Sequence, residues 1–475
     1  MLLLCLAAIW LTGFGVVRSI APQPLRWSLH NVFLFSLAIG AGAGIASCCY
    51  FLALWAAGPS VGVLISVMAA VLLLALVLGF LAKTRGPELK WGEGEPVPWY
   101  LTAVFAIAVA LALTMFLSAV ISNPHGDEGA WSIWNLRARF LFRAGAFWRD
   151  AFSSELGWTH LDYPLLLPGL VAMCWRVAGA ESHDAPIAIA FLFALGTAGL
   201  LVTALGALRG KMHALVAGTL LLGTASYIAL SAAQYGDVPL SFYILAALVL
   251  VCLEDRYPGN PRFIVLAGLM AGFTAWTRND GLLFVVALIA ARAIALVRYG
   301  ARGQLAGQLV RLGLGLAAPI GVVAAFKLGV GGPNLLASTP AATIFGHLAD
   351  SARWIEIVEG LIIMLINFGR FLIPIALALG LYWYLVRFRV SASDRPAVAT
   401  TVIALLLTLG LQLLLDLLYA ASIQVEIGTS FERILLQLWP AALLAFFLAS
   451  GPLQLSAIKP QKKAAKAGRR MAETR

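Results

Sequence analysis

The sequence predicts an all-α, polytopic membrane protein, and three observations carry that prediction. Of 475 residues, 61% are hydrophobic and 12% charged, with a mean hydropathy of +0.91, which leaves too little polar surface to coat a soluble globule. Apolar runs of roughly 17 to 25 residues recur from end to end, long enough to cross a hydrocarbon core of about 30 Å as helix. The runs are continuous rather than alternating, so they read as helices and not as the strands of a barrel.

Hydropathy places about thirteen spans, near residues 2–17, 30–56, 61–82, 99–121, 185–207, 214–231, 238–253, 262–276, 281–297, 309–330, 356–386, 397–420 and 433–450. The first has no basic residue ahead of it and Arg18 behind it, the reverse of a secretory signal peptide, so it is expected to be an N-out anchor that stays in the mature chain. If the tail Lys459, Lys462, Lys463, Lys466, Arg469, Arg470 and Arg475 is cytoplasmic, alternation gathers most of the basic loop residues on that side. These are Arg18/Arg26, Lys83/Arg85/Lys90, Arg209/Lys211, Arg256/Arg262, Arg292/Arg298/Arg302/Arg311 and Arg387/Arg389/Arg395.

The formal net charge of +11 is then mostly topological, drawn toward anionic headgroups, and no nucleic-acid partner is implied. Of the five cysteines, Cys5, Cys48, Cys49 and Cys252 lie in or at the ends of spans and only Cys174 falls in an outer loop, so no disulfide framework is expected.

The same alternation sends the remaining polar residues to the other, outer side: Asp127/Glu128, Asp162, Asp237, Arg278-Asn279-Asp280, Glu426 and Glu432-Arg433. Four loops that converge polar groups on one face describe a site opening outward better than a channel. The outer loop 122–184 carries its own secondary structure. Glu128 to Trp148 reads as an amphipathic interfacial helix, with Trp131, Trp134, Phe140, Leu141 and Phe147 among Arg137, Arg139 and Arg143. After His160-Leu161-Asp162-Tyr163-Pro164, the stretch Leu165 to Val177 is too short to span and reads as a second interfacial helix.

An apolar helix followed by Asp127-Glu128 in a first outer loop with interfacial helices, and then Tyr235-Gly236-Asp237-Val238-Pro239-Leu240 leading into a helix, resembles the membrane glycosyltransferases of the GT-C fold. Within that group the likeness is to the bacterial branch related to protein O-mannosyltransferases and the lipid A aminoarabinose transferase. Gly268 to Gly281, with Trp276-Thr277-Arg278-Asn279-Asp280 at its end, is similar to that group's helix ending in a polar turn. The resemblance divides the chain into three extra N-terminal spans (1–98), a catalytic membrane module (99–330) that includes loop 122–184, an outer loop 331–355 with room to act as a lid, C-terminal spans (356–450) and a basic cytoplasmic tail (451–475).

It implies inverting transfer of a sugar from a polyprenyl-phosphate carrier to a glycan, lipid or protein acceptor at the periplasmic face of a bacterial inner membrane. Asp127 then matches the general base and Glu128 its neighbour, since an acceptor hydroxyl needs a carboxylate to take its proton. Arg278, Arg137 and Arg433 are the expected cations for the leaving phosphate, with Arg139 and Arg143 as further candidates. Asp237, His160, Asp162, Tyr163, Asn279 and Asp280 are expected to bind substrate or support the site.

Blander readings stand beside these. The three arginines of the loop helix can be headgroup anchors, Arg278 to Gly281 a tight turn, and Asp237 an N-cap ahead of Pro239. His160 and Asp162, with Asp127 or Glu128, could share a divalent metal, which leaves the cofactor open. His125 reads as a loop residue. The competing functions are a transporter or flippase, against which no acid lies firmly at mid-span, Asp416 coming nearest but reading also as near the outer end, and a non-catalytic scaffold of a glycan assembly complex.

Overall fold

The computed structural model describes residues 1–20, 29–82, 97–258, 262–299, 302–332, 339–370, 374–419 and 421–451. The basic tail beyond residue 451, Arg26 and the Lys83/Arg85/Lys90 loop lie outside them.

The protein is a multi-pass membrane protein, all-helical among the described residues. In chain order the helices are α1 (Leu2–Ile20), α2 (Leu29–Ala57), α3 (Val61–Leu81), α4 (Trp99–Ser122), α5 (Asn135–Arg143), α6 (Leu166–Ala178), α7 (Asp184–Leu208), α8 (Lys211–Leu222), α9 (Ala225–Ala232) and α10 (Asp237–Arg256). They continue with α11 (Arg262–Thr277), α12 (Asp280–Arg298), α13 (Leu305–Gly329), α14 (Ala341–Ala349), α15 (Ser351–Asn367), α16 (Ile375–Val386), α17 (Arg395–Tyr419), α18 (Ile423–Thr429) and α19 (Phe431–Ala449).

Ten helices among the described residues are long and apolar enough to cross a membrane, and twelve spans result if two bent pairs count as one each. The pair α8–α9 bends by 64° and the pair Ser351–Arg370 with α16 by 82°, so the single long spans expected at 214–231 and 356–386 are broken ones. Helix α11 has 16 residues, short of the about 20 a full crossing needs, and is buried from Phe263 to Thr277 except at Val265 and Leu269.

Backbones pack closely where glycines allow it. A Cβ on Gly13 would lie 2.0 Å from Ala38 O across α1–α2, and one on Gly315 would lie 2.0 Å from Val265 O across α13–α11. Such small-residue contacts hold helices together where lipid removes the hydrophobic drive.

Polar contacts define two faces. On one, Arg209 at the end of α7 pairs with Asp394 before α17 at 2.9 Å and donates to Leu448 O at the end of α19, and His213 lies 3.1 Å from Gly451 O. On the other face the ends of α4, α9, α11, α13 and α17 meet the starts of α10, α12 and α19, where the expected acidic and polar loops gather.

Two expectations about loop 122–184 change. Leu166 to Trp175 of α6 are all buried, so this stretch is wedged against α1, α2, α5 and α7 rather than lying with one face open. A run that is apolar on every side reads the same whether its neighbour is lipid or protein. The stretch from Glu128 to Trp148 is not one helix: it opens with a π turn at Ala130–Trp134, continues as α5, and breaks at Gly145, whose φ is +55°.

Candidate active site

Asp237 organises the face. At the first turn of α10 it has no exposed surface, and three side chains converge on it. Arg278 Nη1 donates to Oδ1 at 2.9 Å, Arg433 Nη2 to Oδ2 at 2.8 Å and Gln437 Nε2 to Oδ1 at 2.6 Å. The N-cap position belongs to Gly236, and the Asp237 carboxylate serves the two guanidinia instead. Arg278 also pairs with Asp280 at 2.8 Å and lies 5.6 Å from the Tyr163 ring centre, while Arg433 lies 4.8 Å above Tyr235. Burial alone would pull the Arg278 pKa down, but Asp280 and Asp237 hold it above its usual value. The cation is permanent.

The tight turn at residues 278–281 is real, with Gly281 N donating to Arg278 O at 3.0 Å. Glycine is required because a Cβ there would lie 1.9 Å from Thr274 O. The turn's side chains do not serve its own backbone. Asn279 Nδ2 donates to Asp162 Oδ2 at 2.6 Å, and Lys327 Nζ donates to Asn279 Oδ1 at 2.6 Å and also to Asp162 O. Asp162, Asn279 and Lys327 thus tie the first loop to the ends of α11 and α13.

These groups surround one cavity of about 440 Å³, lined by Gly129, Trp134, His160, Asp162, Tyr163, Arg278, Asn279, Asp280 and Arg433, together with Gln412, Asp416, Glu426 and Gln437 from the C-terminal helices. Eight of the expected residues share this pocket or directly brace it: His160, Asp162, Tyr163, Asp237, Arg278, Asn279, Asp280 and Arg433. His160 adopts φ 56° and stacks on Tyr163 at 4.5 Å. Burial, reinforced by Arg278, lowers the His160 pKa. Burial pushes the Tyr163 phenol up to about 12.

Asp127 and Glu128 are exposed and lie outside the cavity lining, two residues and one residue ahead of the lining residue Gly129. Gly126, at φ +75° and too close to Ala233 O for a Cβ, turns the chain there, and Asp127 N then donates to Ala233 O at 3.3 Å. Asp127 O accepts from Ala130 N at 2.8 Å, which opens the π turn, a feature frequent at functional sites. Gly129 N donates to Tyr235 Oη at 3.0 Å, so the ring beneath Arg433 also fixes the Asp127 segment. The Tyr235 pKa is raised, by burial first and by Asp127 among nearby charges.

Arg137 is used differently. It is 2% exposed, and its Nη2 donates to Thr159 O at 2.9 Å and His160 O at 3.0 Å while Nη1 donates to Tyr163 O at 3.2 Å. It holds the loop from inside rather than anchoring at a headgroup, and burial lowers its pKa to about 10. Arg139 and Arg143 both bind Glu181, at 2.8 and 2.6 Å, beside a separate cavity that also contains His125.

No family model, curated protein or solved structure matches this chain.

Among the described residues no group of three or more His, Cys, Asp or Glu side chains is placed to hold a metal. Asp127 and Glu128 lie outside the cavity lining that contains His160 and Asp162, and the Asp162 carboxylate is occupied by Asn279. Lys327, Gln412 and Gln437 were not singled out from sequence. Lys327 offered a signal, a lone cation closing an apolar span, and Gln412 and Asp416 offered another, two polar residues four apart in one.

Proposed function

We propose that this protein is a membrane glycosyltransferase of GT-C architecture, transferring a sugar from a polyprenyl-phosphate donor to an acceptor at the periplasmic face of a bacterial inner membrane. The observation that carries the reading is the pair Arg278 and Arg433. Two guanidinia from helices far apart in sequence are pinned by one buried aspartate at a cavity, and the Nε of each is buried without a partner. An oriented pair of guanidinium groups suits a phosphate oxygen, since guanidinium recognises phosphate in fixed geometry.

In the reaction the bond from the anomeric carbon to the phosphate oxygen breaks as the bond from the acceptor oxygen forms. Charge grows on the leaving phosphate, and Arg278 and Arg433 stabilise it more in the transition state than before it. Asp127 takes the acceptor proton, and its exposed place two residues ahead of the lining residue Gly129 suits an acceptor arriving from outside the membrane. Glu128 orients that acceptor. Asp162, Asn279 and Lys327 keep the first loop closed on the pocket.

Transport finds less support, because Asp416 lies in the last turn of α17 rather than at mid-span. The test is turnover of the purified protein in lipid on a panel of radiolabelled polyprenyl-phosphate sugars, in parallel with Asp127→Asn. The expected result is release of carrier phosphate by wild type and a kcat reduced about 10²- to 10⁴-fold in the variant, with unchanged thermal stability because Asp127 is exposed. Equal rates in the two proteins would remove Asp127 from the chemistry.

A further inference from the structure

The cavity is not uniformly basic. Gln412 and Asp416 are one turn apart on α17, share a face, and both line it. Gln412 is 4% exposed; its Nε2 donates to Gln437 Oε1 at 3.2 Å, which leaves its own Oε1 buried without a donor. Asp416 Oδ2 is likewise buried with no hydrogen-bond partner. Glu426 of α18, Asp280 and Arg278 line the same cavity. Four residues on one cavity therefore hold unmet hydrogen-bonding capacity, in two opposite kinds. Arg278 and Arg433 each keep a spare N–H, while Gln412 and Asp416 each keep a spare acceptor oxygen.

The lining as a whole is bipolar, with the Arg278 and Arg433 guanidinia on one part and the Gln412, Asp416, Glu426 and Asp280 side chains on another, and a few polar groups of fixed kind are what orient a ligand in such a pocket. That ligand must be bipolar, with acceptors for the guanidinia and donors for the α17 face. Inorganic phosphate meets the first need and brings only its one or two P–OH groups, on the same small anion, to the second. A sugar ring joined to phosphate meets both, because its hydroxyls donate, and vicinal hydroxyls can bridge the two oxygens of one carboxylate. The volume of about 440 Å³ is that of a small-molecule site.

We propose that the Gln412–Asp416 face of α17 is the sugar subsite of the donor pocket and that Asp416 sets its sugar selectivity by accepting hydrogen bonds from ring hydroxyls. This rests on the glycosyltransferase reading, with the phosphate at Arg278 and Arg433. Asp416 acts here as a binding group, and the proton of the transferred bond stays with Asp127.

The test measures binding of inorganic phosphate, of a set of hexose 1-phosphates and of their monodeoxy analogues to the full chain in lipid nanodiscs. Wild type, Asp416→Asn, Asp416→Ala and Arg278→Gln are compared. Wild type is expected to bind at least one hexose 1-phosphate about tenfold more tightly than phosphate, the worth of one charged hydrogen bond. Asp416→Ala should erase that preference and the penalty for the missing hydroxyl, while phosphate itself binds as before. Asp416→Asn, which keeps one acceptor, should fall between. Neither variant should melt earlier, since the lost oxygen had no partner, so a loss of preference is not a loss of fold. Arg278→Gln should weaken every phosphate-bearing probe. A hexose preference that survives in Asp416→Ala overturns the sugar subsite and leaves the phosphate site standing. Wild-type protein that binds none of the probes overturns both.

Discussion

Arg292 and Arg278 are both arginines pressed against an aspartate inside the helix bundle, and they differ in what is left over. Arg292, on the basic face, is completely buried, and all three of its nitrogens are engaged. Nε and Nη2 donate to Gln308 at 2.8 and 2.6 Å, Nη1 to Asp255 at 2.8 Å and Thr400 at 3.3 Å, and Nη2 to Asp255 at 2.5 Å. It joins α12 to α10, α13 and α17 and offers nothing further. Arg278 keeps one N–H unmet beside a cavity, and so does Arg433. A saturated buried ion ties helices together, whereas an unsaturated one at a pocket pays for its desolvation only when something binds.

The comparison breaks most visibly at Arg292. Arg292→Met leaves Asp255 and Gln308 without their partner, and unfolding in detergent should lose about 3–5 kcal/mol, whereas activity per folded molecule should be unchanged. A specific activity that falls along with stability would put Arg292 in the working site. Lys327→Met tests an intermediate case. It frees Asp162 and Asn279 to move, and removing that tie should cost about 1–2 kcal/mol of donor binding, seen as a rise in KM with kcat nearly constant. A purely structural lysine would instead lower the melting temperature and leave KM alone.

The smallest expected effect is at His160. Burial and Arg278 hold its folded pKa below the unfolded value near 6.5. The folded protein therefore binds fewer protons than the unfolded one as pH falls below that value, and the stability present above it is lost as pH drops through the folded pKa. Arg137 adds to this depression, and Asp162 and Asp280 oppose it. His160→Asn, which tolerates the left-handed backbone there, should flatten the acid side of the melting-temperature profile. An unaltered acid slope would assign that slope to other groups.

The spans were legible because hydropathy needs only local sequence. Among the described residues the expected apolar segments fall on helices, two of them broken by a bend, and α10 begins one residue from its expected start. The gathering of polar loops on one face was legible too, since it follows from alternation. What stayed hidden was pairing. Asp237 meets groups 41, 196 and 200 residues away, and Lys327 meets one 165 residues away, and no periodicity reports such distances. Arg137 read as a surface cation because its helix is amphipathic, yet the returning loop at residues 159–163 covers it with carbonyl groups. Helix α6 read as interfacial because length and apolarity cannot name the neighbour.

The most direct test of the central claim sets Arg278→Gln against Arg292→Gln, with turnover and the folded fraction measured on the same samples. Arg278→Gln leaves buried Asp237 with only Arg433 and Gln437 as partners, so both variants are expected to lose folded protein. The account predicts that each remaining folded Arg278→Gln molecule loses turnover about 10²- to 10³-fold, whereas each remaining folded Arg292→Gln molecule turns over at the wild-type rate. Folded Arg278→Gln protein working at the wild-type rate would contradict it.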